Sequence, residues 1–361
     1  MFRILSEGNV LFEAAGGYTY GLPRTALLPD ASLLCCFLRM KDGGANDITP
    51  LCATSADGDV WSDARVIWPE YAGKKSVVIT PRAMPDGRIS LAGTIFDIAH
   101  EGDLWWSNDL GAMKKNKLCW CISKDGKNFP PLSEVALPDA AAAEQPSGML
   151  VRQNGEMLIL YSPCPTVDPE GPVVTNRQVL MYSRDKGKNF EPQVFGKLEH
   201  PALYAESWIV ELGNGMLMSS SWITGGEPFP DVYFLSADNG QTFAGPLAMP
   251  FQGQTTSLTP YGNDMVLIPY NQRQYGTIGV WLALAKPDAS GFHMLANQPI
   301  WEAQTATRTN KSADFENFTD YTFGEPQVTV MDDGTLLAVF WFNQSHGTGI
   351  HYVKLQITPT A

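Results

Sequence analysis

The stretch Ser183-Arg-Asp185-Lys-Gly187-Lys-Asn-Phe190 decides the fold, because the chain repeats it. A copy of equal length is Ser236-Ala-Asp238-Asn-Gly240-Gln-Thr-Phe243, and two copies that are one residue shorter run over residues 55–61 and 123–129. The Ser and Asp side chains can accept hydrogen bonds from backbone N–H groups just ahead of them, and the Gly allows the positive φ of a tight turn. Each copy follows an apolar, strand-like run. We therefore predict four structural turns between strands, called the Ser-Asp turns below, and assign them no chemistry.

A second repeat lies upstream of each Ser-Asp turn: an apolar run, then Asp-Gly or Asn-Gly, then another apolar run. This pattern is the strongest short-range signal for a β-hairpin. Its copies are centred on Asp86-Gly87, Asn154-Gly155, Asn214-Gly215 and Asp333-Gly334, with degenerate copies at Asp30 and Asn263. Six such units of roughly 50–70 residues predict an all-β fold, a six-bladed β-propeller with four antiparallel strands per blade. We expect one domain over residues 1–361, in which the run from Phe2 to Phe12 adds a strand to the last blade and closes the ring.

The composition restricts the partners. The net charge of −13 argues against nucleic acid or an anionic membrane surface as a partner. No apolar run approaches the roughly 18 residues of a membrane span. The N-terminus lacks the basic-then-apolar pattern of a secretory signal, so we expect a cytoplasmic protein. The six cysteines lack a metal-ligand spacing and are expected to be reduced core thiols, and we predict no metal or cofactor.

Charged residues recur where the innermost strand of each blade begins. Equivalent positions of these strands surround the central channel, where charged groups are costly unless they are used or paired. The residues at or next to these positions are Arg24, Arg82, Glu144, Glu206, Thr255 and Glu325. We predict a functional site among them, and the alternative is a set of structural salt bridges that fill the channel.

The Ser-Asp turns resemble the Asp-box of the sialidase (neuraminidase) superfamily. The segment Glu206-Ser-Trp-Ile-Val-Glu211-Leu-Gly-Asn-Gly215 is similar to that family's segment around its catalytic glutamate. The resemblance implies a sialidase-like propeller, in which Glu206 polarises a tyrosine nucleophile or acts as a base. It also implies an acid/base aspartate in the loop after the first hairpin. Asp42 and Asp47 are both available there, and we favour Asp47.

The chain departs from the family at three further positions. Aligned on Pro23, Gly21 takes the position of an arginine that binds the sialic acid carboxylate. Trp222 takes the position of a second arginine, and Thr255 that of the nucleophilic tyrosine. Guanidinium groups suit a carboxylate, and we expect Arg24 and Arg82 to rebuild the anion clamp from different blades.

Other residues complete the predicted site. Glu325 would orient an arginine or a substrate hydroxyl. Tyr270 lies beside the position, near Asn271, where the family has a supporting glutamate, and is expected to contact substrate. The long insertion over residues 96–109 supplies His100 as a possible general acid or base and Trp105 as a surface on which a sugar ring could stack.

Three functions are compatible with these residues. The first is an exo-acting glycoside hydrolase that removes a terminal, acidic sugar with Glu206 and Asp47 as its carboxyl pair. The second is a polysaccharide lyase on uronic-acid glycans, with His100 or a tyrosine as its base. The third is a non-catalytic glycan-binding propeller. In each case the expected partner is a carbohydrate.

Overall fold

Six antiparallel sheets follow one another along the chain and form the six blades of a propeller. This computed structural model describes residues 1–14, 17–199, 202–224, 230–304 and 321–358. The predicted all-β, six-bladed architecture is confirmed. The chain begins with strand β1 (Phe2–Glu13), which belongs to the last blade.

The first three blades are built in chain order, each starting with its innermost strand. A 3-10 turn (Pro69–Tyr71) follows blade 1, and the insertion in blade 2 contains a short two-stranded hairpin, Trp106–Ser107 with Ala112–Met113. The strands are β2 (Thr19–Leu27), β3 (Leu33–Met40), β4 (Thr49–Ser55) and β5 (Arg65–Val66) in blade 1; β6 (Lys75–Ala83), β7 (Ile89–Asp97), β8 (Trp106–Ser107), β9 (Ala112–Met113), β10 (Lys117–Ser123) and β11 (Ser133–Val135) in blade 2; and β12 (Ala142–Glu144), β13 (Met149–Val151), β14 (Met157–Cys164), β15 (Gln178–Ser183) and β16 (Glu191–Phe195) in blade 3.

In blade 3 the innermost strand is interrupted, because β12 and β13 both pair with β14. In blade 5 the innermost strand is also short, and Thr256 ahead of it forms an isolated bridge with Tyr270. The strands of the last three blades are β17 (Leu203–Glu211), β18 (Leu217–Thr224), β19 (Val232–Ser236) and β20 (Ala244–Ala248) in blade 4; β21 (Thr259–Tyr261), β22 (Met265–Gln272), β23 (Gly279–Asp288) and β24 (Gly291–Glu302) in blade 5; and β25 (Phe323–Val330), β26 (Leu336–Gln344) and β27 (Gly347–Ile357) in blade 6. Strand β1 pairs with β27 as the outermost strand of blade 6, so the predicted closure of the ring is confirmed.

The Ser-Asp turns connect the third and fourth strands of blades 1 to 4. In the copy in blade 3, Gly187 N donates to Ser183 Oγ at 2.8 Å, and Asn189 N donates to Asp185 Oδ1 at 3.0 Å. The other three copies have the same Gly-to-Ser bond at 2.7–3.0 Å. These bonds therefore fix the turn between the third and fourth strands of each of these blades, as the residue types predict.

Apolar clusters fill the interface between each pair of neighbouring blades. For example, Leu34 of blade 1 packs with Ile79 and Leu91 of blade 2. All six cysteines are buried and free. Within the described residues, no helix is long and apolar enough to cross a membrane.

Candidate functional site

A cavity of about 220 Å³ lies where the inner strands of the blades meet. All six blades contribute to its wall. Its polar lining includes Glu144, Gln145, Glu206, Gln254, Thr255, Arg273, Tyr321, Glu325 and Asn343, and its aromatic lining includes Tyr20, Phe96, Trp105, Trp106, Trp222 and Trp341.

β-Bulges bring two of the glutamates to the cavity. In β17 and β25 the pairing skips two residues against one on the neighbouring strand, and Glu206 and Glu325 are the first residues of these bulges. Their φ angles are +52° and +53°, a left-handed conformation that is strained for residues other than glycine. Leu22 occupies the same position in β2, with a φ of +42°. Such strain persists where the surrounding structure enforces it, and it is common at functional sites.

Carboxyl groups at the ring contact the following blade. Glu144 of blade 3 accepts a hydrogen bond from Glu206 N of blade 4, with 2.6 Å between Oε2 and N. Glu325 of blade 6 accepts one from Leu22 N of blade 1, with 2.7 Å between Oε2 and N. Each carboxyl group thus stabilises a bulge in its neighbour.

Glu206 has two side-chain donors. Trp222 Nε1 donates to its Oε2 at 2.7 Å, and the Thr255 hydroxyl also hydrogen-bonds to the carboxylate. Trp222 and Thr255 are the residues that replace the family's arginine and tyrosine in the sequence comparison. Both replacements thus form hydrogen bonds with Glu206, the predicted catalytic glutamate.

The three glutamates differ in acidity. Burial raises the pKa of Glu206, while the hydrogen bonds from Thr255 and Trp222 oppose that rise. Burial and the negative charge of Glu206 raise the pKa of Glu325 to about 7. The same two causes raise the pKa of Glu144 well above its ordinary value. Because the charge of Glu206 raises the other two pKa values, Glu206 loses its proton first, and Glu325 keeps its own to near neutral pH.

The predicted arginine clamp does not form at the cavity wall. Arg24 is buried next to the site, where Nη1 donates to Glu325 O at 2.6 Å and the guanidinium lies 5.0 Å from the ring centre of Trp208. Arg82 Nη1 donates to the backbone oxygens of Ser147 and Ile209, which joins blades 2, 3 and 4. Neither arginine lines the cavity.

The remaining predicted residues separate into two groups. Glu206, Glu325 and Trp105 line the cavity, and Trp105 Nε1 donates to Gly43 O at 2.8 Å. Asp47, His100 and Tyr270 do not line it. Each of these three side chains forms a hydrogen bond away from the cavity wall. The bonds are Asp47 Oδ1 with Lys41 N (3.1 Å), His100 Nδ1 with Glu101 O (3.0 Å) and Tyr270 Oη with Asn297 Oδ1 (3.1 Å). The alternative aspartate, Asp42, accepts from the backbone of Gly44 and Ala45 in its own loop.

The sequence prediction missed Arg273. This buried residue follows β22 and donates to the backbone oxygens of Gln254 and Phe323, and its guanidinium lies 3.9 Å from the ring centre of Tyr321. The sequence predicts charged axial residues at the starts of the innermost strands, whereas Arg273 follows the end of β22, the second strand of blade 5. The end of the second strand of a blade reaches the same mouth of the channel. An arginine directly after such a strand, as in Gln272-Arg273, is therefore the sequence feature that could have indicated this residue.

Among the described parts of the chain, no group of three or more His, Cys, Asp or Glu side chains is arranged to hold a metal ion. What the cavity offers chemically is carboxyl groups of different acidity between aromatic walls. Two carboxyl groups of different acidity can act together on a ligand: the protonated one donates a proton to one atom, and the ionised one accepts a proton from another.

Comparison with known proteins supports the fold. No protein-family model and no curated protein matches the chain. Among solved structures, the chain is similar to a protein of unknown function from Dyadobacter fermentans, with a TM-score of 0.77, 16% identity and 99% of each chain covered. It is also similar to a Hadza microbial sialidase, with a TM-score of 0.67 and 14% identity, over 97% of this chain and 68% of that one. A leech intramolecular trans-sialidase matches with a TM-score of 0.63 and 13% identity, over 97% of this chain and 70% of that one.

These similarities establish a sialidase-like six-bladed propeller. At such identities they show the fold alone, and one fold can carry unrelated activities.

Proposed function

We propose that this protein is an exo-acting glycoside hydrolase that removes a terminal sugar from a glycan. The observation that carries the proposal is the position of Glu206 and Glu325 on the wall of one cavity, with pKa values separated by their mutual charge. Glycosidases use two carboxyl groups on opposite sides of the scissile bond, one protonated and one ionised. The sialidase-like structural neighbours support a carbohydrate partner.

The two glutamates would take different roles. Glu325 is protonated below about pH 7 and would donate its proton to the oxygen of the leaving group as the glycosidic bond breaks. Glu206 would be ionised and would accept the proton of the attacking water. Its hydrogen bonds from Trp222 and Thr255 favour the ionised form and fix its orientation.

Glu325 is preferred over Asp47 as the acid, because Glu325 lines the cavity and Asp47 does not. The bulge in β25 also brings the Glu325 side chain to the cavity wall. The Asp47→Asn variant therefore tests whether Glu325 or Asp47 is the acid.

The test is a screen of 4-methylumbelliferyl glycosides, followed by variants on any substrate found. We expect Glu206→Gln and Glu325→Gln each to lower kcat by about 10²–10⁴-fold, the usual contribution of a general acid or base. Asp47→Asn and His100→Ala are matched controls, since they remove titratable groups near the same mouth and should leave kcat unchanged. Circular dichroism would show that each variant is folded.

Different results would support the alternatives. If Glu206→Gln and Glu325→Gln both keep full activity, the proposed pair is wrong. An absorbance increase from an unsaturated uronate product would indicate the lyase. Binding of glycans with no turnover by the unmodified protein would indicate a non-catalytic propeller, in which the glutamates serve only to join blades.

A further inference from the structure

We infer that the cavity binds a neutral terminal sugar and discriminates against sugars that carry a carboxylate. This inference rests on the proposed function, because it names the substrate class of the same site. It differs from the acidic sugar expected from the sequence, and it follows from which groups line the cavity and how its arginines are held.

The two guanidinium groups near the cavity, those of Arg24 and Arg273, donate to backbone oxygens. Glu325 and Glu206 act electrostatically on Arg24, and the same two glutamates act on Arg273. A bound anion would therefore share the positive charge of these arginines with the two glutamates. Arg24 is also buried behind the wall, against Trp208.

Arg273 is the one basic side chain among the described residues that line the cavity. Its two terminal nitrogens donate to the backbone oxygens of Gln254 and Phe323. The faces of its guanidinium approach aromatic rings, with 3.9 Å to the centre of Tyr321 and 5.0 Å to that of Phe323. These bonds use one N–H of each terminal nitrogen and fix the guanidinium in place, so a ligand carboxylate would have to approach its remaining N–H groups.

Carboxyl groups outnumber basic groups on the described part of the wall, where Glu144, Glu206 and Glu325 stand against Arg273. In a buried site, a ligand carboxylate near the ionised Glu206 would be repelled with little screening by water. Of the described lining residues, Arg273 alone could offset the desolvation of such a ligand.

A neutral sugar complements the same wall. Ionised carboxylates only accept hydrogen bonds, and sugar hydroxyl groups can donate to them. The aromatic side chains Phe96, Trp105 and Trp341 provide apolar surface for the C–H faces of a sugar ring. A mostly apolar pocket with a few fixed polar groups is the usual form of a small-molecule site.

The experiment compares ligands that differ only in a carboxylate. Binding of methyl glucoside and methyl galactoside, and of the corresponding methyl uronides, would be measured by calorimetry at pH 7, with methyl sialoside as a further acid. We expect at least one neutral glycoside to bind, and its uronide to bind about tenfold more weakly or worse, which corresponds to about 1.4 kcal/mol.

A variant ties the discrimination to the site. Glu206→Gln removes the negative charge and should reduce the ratio of the two dissociation constants toward one, whereas Glu302→Gln, at an exposed position on the outer strand of blade 5, should leave the ratio unchanged. The inference is overturned if a uronide binds as tightly as the corresponding neutral glycoside, or if the sialoside binds as tightly as the neutral glycosides. It is also overturned if no neutral glycoside binds. Neutral binding without hydrolysis would contradict the proposed hydrolase but keep this inference, and hydrolysis of an acidic glycoside would do the opposite.

Discussion

At the scale of single residues, the bulge glutamates connect strain, acidity and chemistry. Glu206 and Glu325 each adopt a positive φ that costs energy. Glu206 N donates to Glu144 and Leu22 N donates to Glu325, which helps to enforce the bulges at Glu206 and Leu22. The bulges at Glu206 and Glu325 bury their carboxyl groups at the axis, and burial raises their pKa values. The backbone conformation thus determines both where the carboxyl groups lie and when they ionise.

The pKa of Glu325 predicts a pH dependence of stability. Its folded-state pKa of about 7 exceeds its ordinary value of 4.5, so the unfolded chain releases this proton at lower pH than the folded protein. Its contribution is fully present below about pH 4.5 and is lost between there and about pH 7. We expect Glu325→Gln to lack this loss of about 3 kcal/mol in the free energy of unfolding.

Urea denaturation at pH 4.5 and pH 8 would measure this difference. The acidic Ser-Asp turns titrate in the same way in both proteins, so their contributions cancel. The exposed variant Glu302→Gln is the control and should behave like the unmodified protein. A Glu325→Gln variant whose stability changes with pH in parallel with the unmodified protein would contradict the assigned pKa.

At the scale of elements, the glycines of the Ser-Asp turns pack against the preceding blade. A Cβ atom added at Gly187 would lie 2.3 Å from the Trp120 ring of blade 2, and one at Gly240 would lie 2.1 Å from Tyr182 Oη of blade 3. At Gly126 the neighbour is Leu28 of blade 1, at 2.3 Å. The turns therefore also dock one blade on the next, a role that their local sequence pattern does not show.

This docking predicts unequal effects of two similar substitutions. Gly187→Ala and Gly155→Ala both place a Cβ at a strongly positive φ, +81° and +87°, in neighbouring turns of blade 3. Nothing lies within 4 Å of the Cβ position at Gly155. The backbone strain should cost about 1–2 kcal/mol at either site, and overpacking against Trp120 should add about 1–3 kcal/mol at Gly187 alone.

Thermal and urea denaturation of the two variants would give the difference directly. Equal destabilisation would mean that Trp120 moves away at no cost and that the turn does not dock on blade 2. Both folded variants should keep the activity of the unmodified protein on any substrate found, since neither glycine lines the cavity.

The elements were the part of the structure that the sequence could predict. Ser-Asp and Asx-Gly turns are specified by hydrogen bonds and φ angles within a few residues, so their number and spacing were sufficient to count the blades. Alignment of strand starts also predicted that Glu206 and Glu325 lie at the axis. Bulges depend on pairing with a neighbouring strand, and no pattern in β17 or β25 indicated them.

At the scale of the whole molecule, the site exists only because the ring is closed. All six blades contribute to the cavity wall, and Glu325 of the last blade bonds to Leu22 of the first. That bond joins residues 303 positions apart. Arg273 and the indole of Trp222 were not predicted as parts of the site, because their bonds to Phe323 and Glu206 depend on how strands pack and not on a local sequence pattern. The separation of Arg82 from the cavity has the same origin, because its partners lie on two other blades.

Closure of the ring depends on strand β1, and its two ends predict different responses. Phe2 is 4% exposed and belongs to the apolar cluster between blades 5 and 6. Its backbone also exchanges two hydrogen bonds with the Gln298 side chain of blade 5, at 3.1 and 2.8 Å. Phe12, on the same strand, is 45% exposed. We expect Phe2→Ala to cost about 3–5 kcal/mol in the free energy of unfolding, and Phe12→Ala about 1 kcal/mol or less.

Hydrogen exchange would show whether this loss is local to the closure. Loosening of β1 leaves the edge of β27 unpaired, so the amides of Gly347–Ile357 should exchange faster in Phe2→Ala, while those of β14 and β15 in blade 3 should be unchanged at first. Because Glu325 lies on β25 of the same blade, the opened variant should also lose affinity for any ligand of the cavity before it unfolds globally. If exchange rises equally in all blades, the ring unfolds as one unit and β1 has no special role in closing it.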